Sequence, residues 1–241
     1  MFKFILFFLV LTLNLFADFD FKVVKTQLLK TEDLYAYVKD DPRIKLNSSG
    51  IVMHNFDKSK SIIARASVIA KENGMAKLEF SVFSSLEQEA LPLPNILPEV
   101  GDEVILNFLY DRAAVIAPDK QSYDEIVNSY PQFYFTHIDI LGAQMIRNAQ
   151  VAPKRSDLRK FCADNAVGIL IFALEQKAKF VDCQDFKTLY EVPISKPSSV
   201  QVPFYSRITD YRSNFFDFNS QEIGNFYRYY EALIDLDRTN R

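Results

Sequence analysis

The stretch "SIIARASVIAKENGMAKLEFSVF", residues 61–83, limits the folds open to this chain more than any other. Two apolar runs flank Asn73-Gly74, and an Asn-Gly pair readily takes the positive φ angles of a two-residue hairpin turn. A lone hairpin cannot hide its apolar face, so more strands must join it. The residues before it supply them. "DFDFKVVKTQ" places Phe19, Phe21 and Val23 on one side, and "EDLYAYVKDD" alternates through Leu34, Ala36 and Val38 before stopping at Asp41-Pro42. "SSGIVMHNFD" reads as a third short strand. Five strands in about 65 residues predict a small barrel or a tightly curled sheet.

Two segments end this region. "EQEALPLPNILPEVG" carries Pro92, Pro94 and Pro98, which cannot donate to a ladder and favour an extended loop between strands over a proline ligand for an aromatic groove. In "EVGDEVILNFLYDRAAVIAPDK", residues 99–120, Tyr110-Asp111-Arg112 divides two apolar runs. The triplet reads as the bend joining two buried strands of the first sheet, with Arg112 capping a carbonyl or pairing with a carboxylate. The competing reading presents Arg112 to a ligand anion.

Beyond Pro118 the apolar period lengthens. "DKQSYDEIVNSY" fits a helix with Asp119 as N-cap and Tyr123, Ile126, Val127 and Tyr130 on one face. "QFYFT" is a brief strand, and "HIDILGAQMIRN" and "KRSDLRKFCADNA" fit helices, the latter with Leu158, Phe161 and Cys162 inward. "VGILIFALEQKAKFVDC" is a hairpin turning at residues 175–177, and "FKTLYEVPI" adds a strand. After a Pro-Ser-Ser link, the tail gives "PFYSRITDYRSNFFDF" and a helix, "SQEIGNFYRYYEALIDLD". Its Phe215, Phe216, Phe218, Phe226 and Tyr230 are too many to leave wet, so the tail is expected to strap back across the domains. The predicted class is α+β: a small β-barrel-like domain over residues 18–118, an α+β domain over 119–195, and an aromatic-rich strap with a terminal helix over 196–241.

Residues 1–17, "MFKFILFFLVLTLNLFA", place one lysine before a short apolar run and end in a small residue, the pattern of a secretory signal peptide cut after Ala17. No later run is apolar enough to span a bilayer, so the mature chain is expected to be exported without a transmembrane segment, to the periplasm or the outer cell surface. Disulfides persist in that setting, which gives Cys162 and Cys183 meaning. A bridge between the helix end and the strand end would close about 20 residues and contribute roughly 3 kcal/mol in the chain-entropy model. Two buried free thiols are the equal alternative.

Several chemistries find no support. The formal net charge of -3 has no basic block of the kind that nucleic acid demands. His54 and His137 stand far apart, and no paired C-x-x-C or H-E-x-x-H offers a metal centre. With only 6 Gly there is no phosphate cradle and no nucleophile elbow, so neither a cofactor nor catalysis is expected. Paired acids such as Glu87 and Glu89 read as solvated faces. Two basic clusters remain, Lys154, Arg155, Arg159 and Lys160 near one helix end, and Lys58 with Lys60 beside Asp57 at a loop tip. Both read first as solvated faces, yet an exposed ammonium near a carboxylate also imitates the end of a lysine.

The run "ARASVIAKENGMAKLEF" with "LPLPNILPEVGDEVILNFLYDRAAVIAPD", then "LRKFCADNAVGILIFALEQKAKFVDCQDFKTL" and the closing "PFYSRI", "FFDF" and "IGNFYRYYEALIDL", resembles the N-terminal domain of the PgbA family of plasminogen-binding proteins of epsilon-proteobacteria. The resemblance spans nearly the whole mature chain in matching order. It implies an exported, non-enzymatic protein that binds plasminogen through lysines. That mode favours a carboxy-terminal lysine, whereas this sequence closes on Arg241, whose planar guanidinium is not equivalent to an ammonium. Lys58, Lys60 and Arg241 are the expected contacts. The other expectation is a periplasmic structural or assembly factor whose partner is another envelope protein.

Overall fold

The computed structural model describes residues 21–57, 59–83, 96–208 and 223–236. The expected signal peptide, Lys58, Pro92, Pro94, Phe215, Phe216, Phe218 and Arg241 lie outside the described residues.

The first sheet comprises β1 (Val24–Gln27), β2 (Lys30–Glu32), β3 (Tyr35–Lys39), β4 (Ser49–Phe56), β5 (Ser59–Glu72), β6 (Met75–Ser81) and β7 (Glu103–Leu106). Its order is β1-β7-β4-β5-β6-β3-β2, antiparallel throughout. Asn73 and Gly74 take φ angles of 53° and 74°, as the hairpin turn requires. The sheet curls until its two outer strands are consecutive pieces of one stretch. Between them the Leu28 amide donates to the Asp102 carbonyl at 3.0 Å, and the Leu29 amide donates to the Tyr37 carbonyl at 2.9 Å. The enclosed core includes Val38, Ala66, Val68, Leu78, Val104 and Leu106, all fully buried. Each large aliphatic side chain removed from water in this way contributes about 2 kcal/mol.

The second sheet comprises β8 (Arg112–Ile116), β9 (Tyr134–Phe135), β10 (Ile169–Ala173), β11 (Lys177–Asp182) and β12 (Thr188–Pro193), in the order β12-β11-β10-β8-β9. β8 runs parallel to both β9 and β10, and β10, β11 and β12 form an antiparallel meander. The helices are α1 (Lys120–Ser129), α2 (Asp139–Arg147), α3 (Arg155–Asp164) and α4 (Phe226–Asp235). β10 is buried on both faces, as a covered parallel strand must be. Leu170 and Phe172 meet residues of α2, α3 and α4, whereas Ile169 and Ile171 meet the side that holds Ile126 of α1. The fold is thus α+β, with a barrel-like first sheet as expected.

One expectation needs correction. Residues 104–116 do not form a hairpin within the first sheet: β7 ends that sheet, and β8 starts the second. The run "AAVIA" is apolar on both faces and suits any buried strand; its partners are β9 and, more than fifty residues on, β10, both parallel, with Ile169 of β10 opposite Ala113. Tyr110-Asp111-Arg112 is therefore a crossing between sheets. Among the described residues of the tail, Phe204, Phe226 and Tyr230 pack in a cluster built from the second sheet and its helices.

Candidate partner-binding surface and the joint behind it

β4 pairs with β7 only as far as Met53 opposite Glu103, while β4 and β5 continue together to Phe56 opposite Ser59. The hairpin tip therefore projects past the neighbouring strand. His54 anchors its base, with Nδ1 2.8 Å from Asp102 Oδ1, and its ring meets Phe56 edge-on at 4.9 Å. Asp102 is buried and also accepts the Glu99 amide at 2.8 Å. Beside this anchor the Lys60 ammonium lies 3.2 Å from the Glu103 carboxylate, with the lysine side chain 56% exposed. An exposed pair of this kind adds little to stability, about 0–1 kcal/mol, so its charges remain available to a partner.

The other basic cluster is not a plain solvated face. The guanidinium groups of Arg155 and Arg159 stack on Phe186 at 4.7 and 5.5 Å from the ring centroid, and Lys160 pairs with Asp164 at 3.0 Å.

Behind the tip, a buried polar joint locks the two sheets together. Asp182, at the end of β11, accepts the Ser49 hydroxyl at 2.5 Å and the Tyr110 hydroxyl at 2.8 Å on one oxygen. Its other oxygen accepts Arg65 Nη2 at 2.8 Å and the amides of Gln184 and Asp185. Asp185 takes Arg65 Nη1 at 2.8 Å and the Ser67 hydroxyl at 2.7 Å. Tyr110 in turn accepts the Ser49 amide at 2.9 Å. Burial, and then the Asp182 charge, push the Tyr110 phenol well above its ordinary value, so it remains a donor. Burial alone would lower the Arg65 guanidinium, but the two carboxylates outweigh it and the net shift is upward. The arrangement satisfies a buried ionic cluster, which is structural work. Among the described residues, the Arg112 side chain, beside it, reaches the Asn165 carbonyl at 3.4 Å.

Cys162 and Cys183 form a disulfide closing 21 residues, and both are buried. It lines a cavity of about 40 Å³ between the sheets, with Ser49, Arg65, Phe108 and Gly168 among its walls. Among the described residues no group of three or more His, Cys, Asp and Glu side chains is placed to hold a metal ion. His137 is a partner of Asp139, not of His54, at 3.2 Å.

Sequence reasoning placed Lys60 at the tip and paired the cysteines as one of two options. It missed Glu103 as the partner of Lys60, and Arg65, Asp182 and Asp185 as the joint. The one local sign of the joint is an acid closing a strand directly after the apolar Phe180-Val181, in "KFVDCQD".

A barrel-like sheet locked onto a disulfide-bonded second sheet, with a charged hairpin projecting from the barrel, defines a two-sheet α+β protein. The chain belongs to the family described as plasminogen-binding protein pgbA, N-terminal, whose family model matches residues 23–234. It is similar to the plasminogen-binding protein PgbA of two strains of Helicobacter pylori, 26% and 25% identical over 199 residues. Those matches cover 81% of this chain but 44% and 43% of the relatives, so the chain spans less than half the length of the curated relatives it matches. No solved structure matches. Among the described residues no helix is long and apolar enough to cross a membrane, which says nothing of β-barrels that cross with strands.

Proposed function

We propose that this chain is an exported, non-enzymatic binding protein that engages plasminogen through lysine side chains, with Lys60 as the central contact and Lys58 and Arg241 as further contacts. Family membership and the names of its relatives support plasminogen as the partner. The observation that carries the choice of site is the Lys60 ammonium held 3.2 Å from Glu103 on a projecting tip. A cation fixed beside an anion offers a lysine-reading domain both charges of a free lysine end, and charge pairs of this kind govern encounter and specificity. Phe56, exposed at the same tip, adds apolar contact.

The test is binding of purified residues 18–241 to immobilised plasminogen, with and without a soluble lysine analogue. Saturable, analogue-sensitive binding supports the reading; its absence removes it. Export to the surface has its own test, protease treatment of intact cells. A chain shielded until the outer membrane is broken would instead serve as a periplasmic structural or assembly factor.

A further inference from the structure

We infer that the crevice outside the carboxyl ends of β8 and β9 is a peptide-binding site, filled here by the chain's own residues 198–207, and that it takes a bent segment with a hydroxyl at one end and a Ser-Arg pair at the other. In α/β sheets the carboxyl ends of parallel strands are where ligands are held. Here two acids stand at that edge, Asp119 capping α1 and Asp139 opening α2. Both turn oxygen atoms toward the same passing segment.

The segment is bound as a ligand would be. Asp119 Oδ2 accepts the Ser198 amide at 2.8 Å, the Ser198 hydroxyl at 3.0 Å and the Ser199 amide at 3.1 Å. Asp139 accepts the Ser206 hydroxyl at 2.6 Å, the Arg207 amide at 3.1 Å and Arg207 Nε at 2.7 Å. Between these clamps the Gln201 amide donates to the Pro118 carbonyl and the Tyr205 amide to the Ala117 carbonyl, each at 2.7 Å. Backbone bonds at the centre and side-chain anchors at both ends together fix the place of the bent segment. The Tyr205 ring joins Tyr123 at 5.7 Å and His137 at 6.5 Å, and Phe204 is fully buried.

The clamps belong to the sheet's edge, not to the segment. A segment from elsewhere with the same donors satisfies the same acids. The resident one follows β12 after only a few residues, so it competes at an effective concentration on the order of millimolar. A segment in trans binds measurably only when the resident one is weakened.

The test weakens the resident segment and leaves both acids in place. In the full chain, Ser198→Ala with Arg207→Ala removes two of its side-chain anchors. Hydrogen exchange by NMR follows the Gln201 and Tyr205 amides against those of Leu170 and Phe172 in β10. A fluorescein-labelled peptide of residues 196–208 is titrated by anisotropy. Losing a charged hydrogen bond costs enough to predict exchange about tenfold faster or more for Gln201 and Tyr205, with β10 unchanged. The peptide is expected to bind the variant saturably, and more weakly when it carries Arg207→Ala itself. Exchange of the segment in step with β10 in both proteins overturns the inference, and so does absence of saturable peptide binding to the variant. Arg207→Ala alone, at an exposed side chain, serves if the double variant does not fold.

Discussion

Tyr110 donates a hydrogen bond from its hydroxyl to Asp182 across 2.8 Å, and these two residues, 72 apart in sequence, hold the barrel-like sheet against the α/β sheet. The same phenol accepts the Ser49 amide of β4, so one side chain is bonded to both sheets. Tyr110→Phe keeps the ring and deletes the oxygen, leaving the Ser49 amide without its acceptor in a buried site. The expected loss is about 1–3 kcal/mol of stability, read as a drop of several degrees in Tm by circular dichroism. Arg112→Ala, which removes only the 3.4 Å contact to the Asn165 carbonyl, is expected to cost less than Tyr110→Phe. The opposite ranking would show that the crossing is held by its arginine.

The Cys162–Cys183 bridge ties α3 to the turn that carries Asp182 and Asp185. Closing 21 residues, it stabilises the chain by about 3 kcal/mol through the unfolded state. The double variant Cys162→Ser with Cys183→Ser is expected to lower the urea midpoint accordingly. A thiol titration of the denatured but unreduced protein is expected to find no reactive thiol; two would remove the bridge.

What was legible in the sequence follows distance along the chain. Asn73-Gly74 announced its hairpin because two adjacent residues carry the whole turn geometry. Asp119 announced α1 because a cap acts within three residues, on the Ser122 amide at 2.9 Å. β8 was assigned to the wrong sheet because Ala113, Ala114, Val115 and Ile116 are buried on both faces, and such a run names no partner. Glu103 gave no sign of Lys60, since 43 residues separate them and only the pairing of β4 with both β5 and β7 brings them together. Asp182 is the sharpest case. Its five partners come from β4, β5, the crossing and its own turn, and no spacing in the sequence encodes that meeting.

Gly168 sits where the loop into β10 passes under the crossing. A Cβ there would lie 2.3 Å from the Leu109 carbonyl oxygen and 2.5 Å from its carbon, and backbone of this kind does not yield as a flexible side chain would. Gly168→Ala is expected to destabilise by about 3 kcal/mol or more and to reduce soluble yield. Gly224→Ala, with nothing among the described residues within 4 Å of the added atom, is the matched control and is expected to be silent.

Acid should loosen the segment at the α/β edge before the cores. Burial alone would raise the Asp119 carboxyl, but hydrogen bonds from Ser122, Ser199 and Ser198 outweigh it and hold the group at about 2, against an ordinary 3.8. Asp139 is likewise lowered: burial opposes the shift, and Ser206 and Arg207 drive it. A carboxyl depressed in the folded state contributes stability that is complete above the ordinary value and lost as pH falls through the folded one. His137 is depressed too, chiefly by burial, so below 6.5 its protonation begins to weigh against the folded form. The protection of the Gln201 and Tyr205 amides, exchange being corrected for its intrinsic dependence on pH, is therefore expected to fall modestly below pH 6.5 and steeply between 3.8 and about 2. Flat protection across that lower window would mean that the acids do not clamp the segment.

The plasminogen reading turns on Lys60, and charge alone is a poor guide because the chain has other exposed lysines. Lys177 supplies the control: it is partly exposed and ion-paired, with Glu231 at 3.4 Å, but lies on β11 in the second sheet. Both Lys60→Ala and Lys177→Ala remove one positive charge and one exposed pair, so both should leave stability within about 0.5 kcal/mol. Their effects on binding should differ. A lysine that fills a partner's pocket behaves as an anchor, and its truncation weakens binding by about tenfold or more, whereas a charge that only steers alters the on-rate modestly. Surface plasmon resonance on immobilised plasminogen is therefore expected to show a faster off-rate for Lys60→Ala and wild-type kinetics for Lys177→Ala. Glu103→Gln separates the two charges at the tip. If the partner reads the cation and anion together, this variant weakens binding while Lys60 stays in place; if it reads the ammonium alone, freeing that ammonium leaves binding equal or tighter. Equal losses from Lys60→Ala and Lys177→Ala would reduce the interaction to net charge and take the tip out of the site.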